Sequence, residues 1–303
     1  MLDGTALRCY EWTQVKKPRA IIQIMPGFHE YLGRYSHFAS QLNELDFIVV
    51  GGDHRGHGNS FVSSEDLLLK KQKRRGRSGK TEWRHYLDDQ KVINSYIQKR
   101  WPSLPVYVVG QTLGATLATR YALDYGKTVN GLVLSGMTFP KNWKMKVVQS
   151  LAKSNKALHG SNKIDTWLNH LLSGTIYPKE KGRKEEVWIS HDPNVREQLH
   201  HDPLISTELT NDFMLGFIKT LLYNSRKKRL NRLPGDFPIL ILAGKKDVVG
   251  NYTKQPRELK QKLKGLNKKV DLVTFPKWRN DVFSNPNPSP ATKVFVEFLN
   301  KNL

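Results

Sequence analysis

Six short runs of almost uninterrupted apolar residues do most to limit what this chain can fold into. They lie at 20–25 (AIIQIM), 47–51 (FIVVG), 106–109 (VYVV), 131–135 (GLVLS), 239–243 (ILILA) and 270–275 (VDLVTF). Each is nearly continuous, the pattern of a strand covered on both faces rather than one. Longer stretches with helical spacing lie among them. Phe38, Leu42 and Leu45 recur within 34–45, Leu87, Ile93, Tyr96 and Ile97 mark one side of 83–100, and 112–124 and 292–299 behave similarly. Strands alternating with helices predict a mostly parallel α/β sheet with helices on both faces.

The stretch 138–234 breaks this rhythm. It offers no convincing strand, carries Trp143, Trp167 and Trp188, and contains amphipathic pieces such as 212–222. It reads as a helical cap inserted between two strands, dividing the chain into a core of 1–137 and 235–303 and a cap of 138–234. Hydrophobic residues at 38% and charged residues at 25% suffice for a buried core and argue against disorder.

Charge is the unusual property. Lys and Arg number 49 against 27 Asp and Glu, a formal net charge of +22. The densest run extends from Lys70 to Lys80 (KKQKRRGRSGK), and lesser clusters are Arg226-Lys227-Lys228-Arg229 and 260–269. Such surfaces attract phosphate on anionic lipid or nucleic acid, and they also serve as plain solvated faces. No paired Cys/His ligands or aromatic RNA-binding strand accompany them, so nucleic acid is not the expected partner. The single cysteine, Cys9, permits no intrachain disulfide. The opening residues lack a basic stretch followed by an apolar run, and nothing approaches the ~18 apolar residues of a membrane-spanning helix. The expectation is a cytoplasmic protein, peripheral to membranes where the 70–80 run meets anionic lipid.

The chemistry-bearing motif follows the third run. Residues 106–109 lead directly into Gly110-Gln111-Thr112-Leu113-Gly114 and then a helix. A strand, a tight turn with a glycine two positions either side of a hydroxyl residue, and a helix make up the nucleophile elbow of α/β-hydrolases. Other segments fit in order. Met25-Pro26-Gly27-Phe28-His29-Glu30-Tyr31 with Gly33-Arg34-Tyr35 is similar to an HGxxEHxxRY segment, and Asp53-His54-Arg55-Gly56-His57-Gly58-Asn59-Ser60 to a DxRGHGxS turn. WISHDPNVREQLHHDPL (188–204) resembles a cap segment. LILAGKKDVVG (240–250) resembles the strand and loop that present a triad acid, and FPKWRNDVF (275–283) the segment that presents the histidine. Together these resemble the monoacylglycerol lipase and lysophospholipase family of α/β-hydrolases over nearly the whole chain. The resemblance implies about eight strands, an acyl-ester or lipid ligand and no cofactor.

Carried onto this sequence, the resemblance puts Thr112 at the nucleophile position, Asp247 at the acid and Asn280 at the base. The oxyanion hole falls to the backbone N–H groups of Phe28 and Leu113. Thr112 keeps a hydroxyl, but its branched side chain sits badly at the positive φ an elbow imposes. It could instead be an elbow residue whose hydroxyl bonds nearby backbone. An amide at 280 cannot accept and return a proton near neutral pH. Asp247 would then bond the Asn280 amide or loop backbone. Pro26 replaces a histidine before Gly27 without removing the expected donors. His29, His54 and His57 read as loop ties, His200 and His201 lie in the cap, and no His/Cys/Asp/Glu set has metal-ligand spacing.

Three functions compete. One is a non-catalytic homologue binding a lipid or other apolar ligand under the cap. The second is a carboxylic-ester hydrolase acting on lysophospholipid or monoacylglycerol through a rearranged site. The third is a basic scaffold for anionic membrane or nucleic acid.

Overall fold

The computed structural model describes residues 5–28, 30–60, 83–161, 163–165, 167, 188–205, 209–283 and 290–303. One sheet organises them, with strands β1 (Cys9–Trp12), β2 (Ala20–Met25), β3 (Phe47–Gly52), β4 (Val106–Gln111), β5 (Gly131–Ser135), β6 (Ile239–Gly244) and β7 (Val270–Phe275). Their spatial order is β1-β3-β2-β4-β5-β6-β7. Every pairing is parallel except β1 on β3, where Cys9 faces Gly52 and Trp12 faces Val49. This is the expected α/β-hydrolase architecture, with seven strands among the described residues rather than about eight. All six apolar runs are strands. β1 escaped the sequence reading because it is a four-residue edge strand whose side chains are only half covered.

Helices are α1 (Ser36–Asn43), α2 (Arg84–Arg100), α3 (Leu113–Tyr125), α4 (Asn142–His159), α5 (Pro193–His201), α6 (Asn211–Asn224), α7 (Lys254–Lys264) and α8 (Pro290–Asn302), with a single turn at Lys227–Leu230. Side chains alternate across the strands, so β2 splits its residues between two cores. Ala20, Ile22 and Ile24 pack with Phe38 of α1 and Phe295 and Leu299 of α8. Ile21 and Met25 pack with Ile93 and Ile97 of α2 and Leu117 and Tyr121 of α3.

Between β5 and β6 the described residues form α4, α5, α6, the turn at Lys227–Leu230 and an isolated bridge, Ile164 to Thr210. The amphipathic reading of 212–222 needs correction. α6 packs against both α3 and α4 and is buried on nearly all sides, with Phe213, Met214, Phe217 and Ile218 inside the main core. Among the described residues no helix is long and apolar enough to cross a membrane. The 70–80 run lies outside the described residues, as does His29.

Candidate active site

The elbow forms because two glycines let three backbones converge. A Cβ on Gly110 would lie 2.3 Å from Gly114 O, and one on Gly114 would lie 1.8 Å from Met25 O. Both are below any tolerated contact, so β4, α3 and the end of β2 can meet only with glycine at these places. Between them Thr112 takes φ 49 and ψ −98, an unusual conformation for a β-branched residue. Its N–H is held by Ser135 O at 2.9 Å, so neighbouring β5 helps fix the turn.

The hydroxyl of Thr112 does not turn to backbone. It donates to Asn280 Oδ1 at 2.7 Å. Asn280 Nδ2 in turn donates to Asp247 Oδ1 and Oδ2 at 3.3 and 3.4 Å and to Gly136 O at 3.2 Å. These acceptors fix the amide orientation, since the reversed amide would set oxygen against three oxygens. Thr112, Asn280 and Asp247, which belong to β4–α3, the loop after β7 and the loop after β6, therefore form one buried hydrogen-bonded line. Asp247 Oδ1 also accepts from Val249 N at 2.9 Å. Burial pushes its carboxyl up to about 7, against the pull of these donors and of Arg279.

Gln111 was not recognised as a site residue in the sequence. Its Nε2 donates to Asn280 Oδ1 and Asn280 O, both at 3.0 Å, and reaches Thr112 Oγ1 at 3.3 Å. Its one signal was position: it is the residue between the first glycine and Thr112. The amide oxygen of Asn280 thus receives two donors.

The loop after β2 rests directly on the first turn of α3, as the Gly114 contacts with Met25 and Pro26 require. Leu113 opens α3, so its N–H belongs to the first turn, whose donors have no partner within the helix. Phe28 lies on the adjoining loop. Glu30 shapes that loop, accepting from Gly27 N at 2.5 Å and Tyr35 OH at 2.6 Å and pairing with Arg34. Arg34 also reaches Asp281 at 3.5 Å, which ties the Phe28 loop to the Asn280 loop. His54 Nε2 donates to Pro26 O at 3.0 Å. His57 Nδ1 meets Arg55 O at 3.2 Å. Burial holds these imidazoles down to about 3 and about 4, so both are neutral loop ties.

Aromatic rings crowd the approach to Phe28. Phe217 and Phe213 of α6 lie 4.7 and 5.9 Å from its ring, and Trp83 lies 5.0 Å from Phe213. Trp83 sits over Gly216, where a Cβ would meet it at 2.3 Å. The segment 188–202 is bound to the same neighbourhood. Asp281 N donates to Ile189 O at 2.9 Å, and Tyr31 OH donates to Asp202 at 2.9 Å. His201 lies apart, exposed and paired with Glu197 at 2.7 Å. Among the described residues no group of three His, Cys, Asp or Glu could hold a metal.

The elbow, the sheet order and the convergence of three loops at its tip are accompanied by a family match: the family described as serine aminopeptidase, S33, matches residues 16–286. The chain belongs to this α/β-hydrolase family. It is 25% identical over 258 residues to the monoglyceride lipase homolog of Monkeypox virus, covering 83% of this chain and 80% of that protein. It is 30% identical over 132 residues to human monoglyceride lipase, covering 44% of this chain and 39% of the human protein. The matched stretch thus spans only about two fifths of the human enzyme's length. A thermostable carboxyl esterase from Bacillus coagulans, solved with glycerol, has the same fold, with a TM-score of 0.86, 22% identity and 99% of each chain covered.

Proposed function

We propose that this member of the monoglyceride-lipase-like hydrolases is catalytically silent and acts by binding lipid. One observation carries the first half: the Thr112 hydroxyl donates to an amide oxygen that cannot take its proton. Hydrolysis by an elbow hydroxyl needs a base that removes the proton and later returns it to the leaving group. At position 280 the side chain copies the hydrogen bonds of a neutral imidazole, accepting from Thr112 and donating to Asp247, without its proton affinity. On this reading Thr112, Asn280 and Asp247 are a structural remnant of a triad, and the N–H groups of Phe28 and Leu113 are what is left of an oxyanion hole.

The second half is supported by the lipid substrates named for relatives and by α4. Trp143, Val147, Leu151 and Leu158 are exposed along one side of that helix, while Met145, Val148 and Ala152 are buried on the other. Lys144, Lys146 and Lys153 flank the exposed stripe, and the helix carries no acid. An apolar stripe with basic flanks is the make-up of a helix that lies in a membrane surface. We assign α4, within the cap of 138–234, as the lipid-facing element of a membrane-peripheral protein, with an acyl chain as the ligand of the cap.

The deciding experiment is activity-based labelling with a fluorophosphonate, alongside hydrolysis of short- and long-chain esters. The wild-type protein should neither label at Thr112 nor turn over, whereas a Thr112→Ser, Asn280→His variant should do both. Stoichiometric labelling of the wild type would refute the silent reading and favour an active esterase with an unrecognised base.

A further inference from the structure

A second polar feature lies far along the chain from Thr112, where α6 ends. The turn at Lys227–Leu230 and its flanks bring Arg226, Lys228, Arg229 and Arg232 around one open cleft, and no acidic side chain lines it. Four cations sharing a cleft repel one another, so some other interaction must hold them there.

Tyr223, in the last turn of α6, supplies much of it. Its ring carries two guanidinium groups, with Arg120 3.5 Å and Arg229 4.4 Å from the centroid. Its hydroxyl donates to Asp124 at 2.6 Å and accepts from Arg232 NH1 at 3.3 Å. Asp124 also pairs with Arg120 at 2.6 Å and faces Arg232 at 3.7 Å. Two cleft arginines, Arg229 and Arg232, are therefore oriented by one aromatic residue before any ligand arrives. The backbone is anchored by further cations. Lys262 Nζ donates to Ser225 O at 2.5 Å, and Lys268 Nζ donates to Asn231 O at 3.1 Å and to Leu233 O. The local excess of positive charge is large, and Asp124 alone does not offset it.

We propose that this cleft is a binding site for a phosphate group, engaged by Arg226, Lys228, Arg229 and Arg232 with Tyr223 as the platform that orients the arginines. Guanidinium groups present paired N–H donors that match phosphate oxygens, and three of the four cleft residues are arginine. Preorientation lowers the ordering cost of binding. The phosphate belongs either to a lipid headgroup or to a small soluble phosphate compound; the chemistry recognised is the same.

The test uses the whole chain and two probes, sodium pyrophosphate in solution and phosphatidylcholine vesicles containing phosphatidic acid. The cleft variant is Arg226→Gln, Lys228→Gln, Arg229→Gln, Arg232→Gln. A control removes equal charge from exposed sites elsewhere: Lys16→Gln, Lys17→Gln, Lys99→Gln, Lys127→Gln. Binding of either probe that is lost in the cleft variant and kept in the control supports the site. Pyrophosphate binding assigns the soluble source, and vesicle binding alone assigns the headgroup. Tyr223→Leu keeps every charge and should weaken binding several-fold, whereas Tyr223→Phe should weaken it less. Equal loss in the control, unchanged binding in Tyr223→Leu, no binding of either probe, or a preference for single-stranded DNA at equal phosphate concentration would overturn the proposal.

Discussion

Thr112 Oγ1 and Asn280 Oδ1 stand 2.7 Å apart, and the hydrogen between them belongs to threonine. The distance is the one a nucleophile and its base would keep, but an amide oxygen is so weak a base that no proton crosses. On the proposed silent reading, the scaffold keeps this geometry without the acid–base step. A buried hydrogen bond of this kind contributes on the order of 1 kcal/mol to stability, whatever its part in catalysis.

Restoring the base should therefore restore chemistry. Asn280→His places an imidazole between Thr112 and Asp247, and Thr112→Ser removes the methyl that crowds attack. The double variant should hydrolyse a short-chain ester at least ~100-fold faster than wild type, the lower end of what a positioned general base contributes. Thr112→Ser alone should gain far less. Equal rates for the single and double variants would mean that position 280 does not face the reacting hydroxyl.

Asp247 gives a pH-dependent signature. Its carboxyl is raised from 3.8 to about 7 by burial. The folded state thus holds its proton more tightly than the unfolded state does between about pH 4 and 7. Stability from this group is fully present at low pH, falls as pH rises through that window, and is level above it. Asp247→Asn removes the titrating group. In urea unfolding, the variant should gain on wild type as pH rises from 4 to 7, by up to a few kcal/mol at pH 8. A difference that does not change with pH would show that Asp247 ionises as an ordinary carboxylate.

What could be read in the sequence follows from physics. Parallel strands covered on both faces leave continuous apolar runs, so β2 to β7 were visible while the half-exposed edge strand β1 was not. The glycines around Thr112 fixed the elbow. α6 reads as amphipathic because its polar residues break the apolar pattern, yet they are buried too: Thr220 Oγ1 donates to Gly216 O at 3.1 Å and, at the helix end, Asn224 Nδ2 donates to Thr116 O at 2.9 Å. The part played by Gln111 could not be read, since an amide between a glycine and a threonine has no meaning until the 280 loop is beside it. α4 was hidden for the opposite reason: apolar residues at helical spacing usually mark a core face, and only burial separates its two stripes.

The elbow glycine makes a sharp stability test. Gly114→Ala would put a methyl 1.8 Å from Met25 O, a backbone atom that cannot rotate away. Either α3 or the end of β2 must shift, so the variant should lose on the order of 4 kcal/mol or fail to fold. Gly126→Ala is the control, because nothing lies within 4 Å of its added Cβ. Equal unfolding midpoints for the two variants would contradict the close packing of β2 on α3.

The lipid-facing role proposed for α4 rests on side chains whose removal should leave the fold intact. Trp143 is 63% exposed and Leu158 is 79% exposed, so Trp143→Ala and Leu158→Ser should change stability by no more than about 0.5 kcal/mol. In vesicle sedimentation the two substitutions together should reduce binding about 10-fold, since each removes apolar area that would otherwise enter the lipid. Lys144→Gln, Lys146→Gln and Lys153→Gln should act differently. They should lower binding to anionic vesicles at low salt and leave binding to neutral ones almost unchanged, because only the attraction between charges is lost, and that attraction is screened over about 8 Å at physiological ionic strength. Two contributions with different salt dependence are the mark of a helix held by both apolar insertion and charge. If the tryptophan and leucine variants bind vesicles as well as wild type does, α4 is not the contact surface, and the stripe must be covered by something other than lipid.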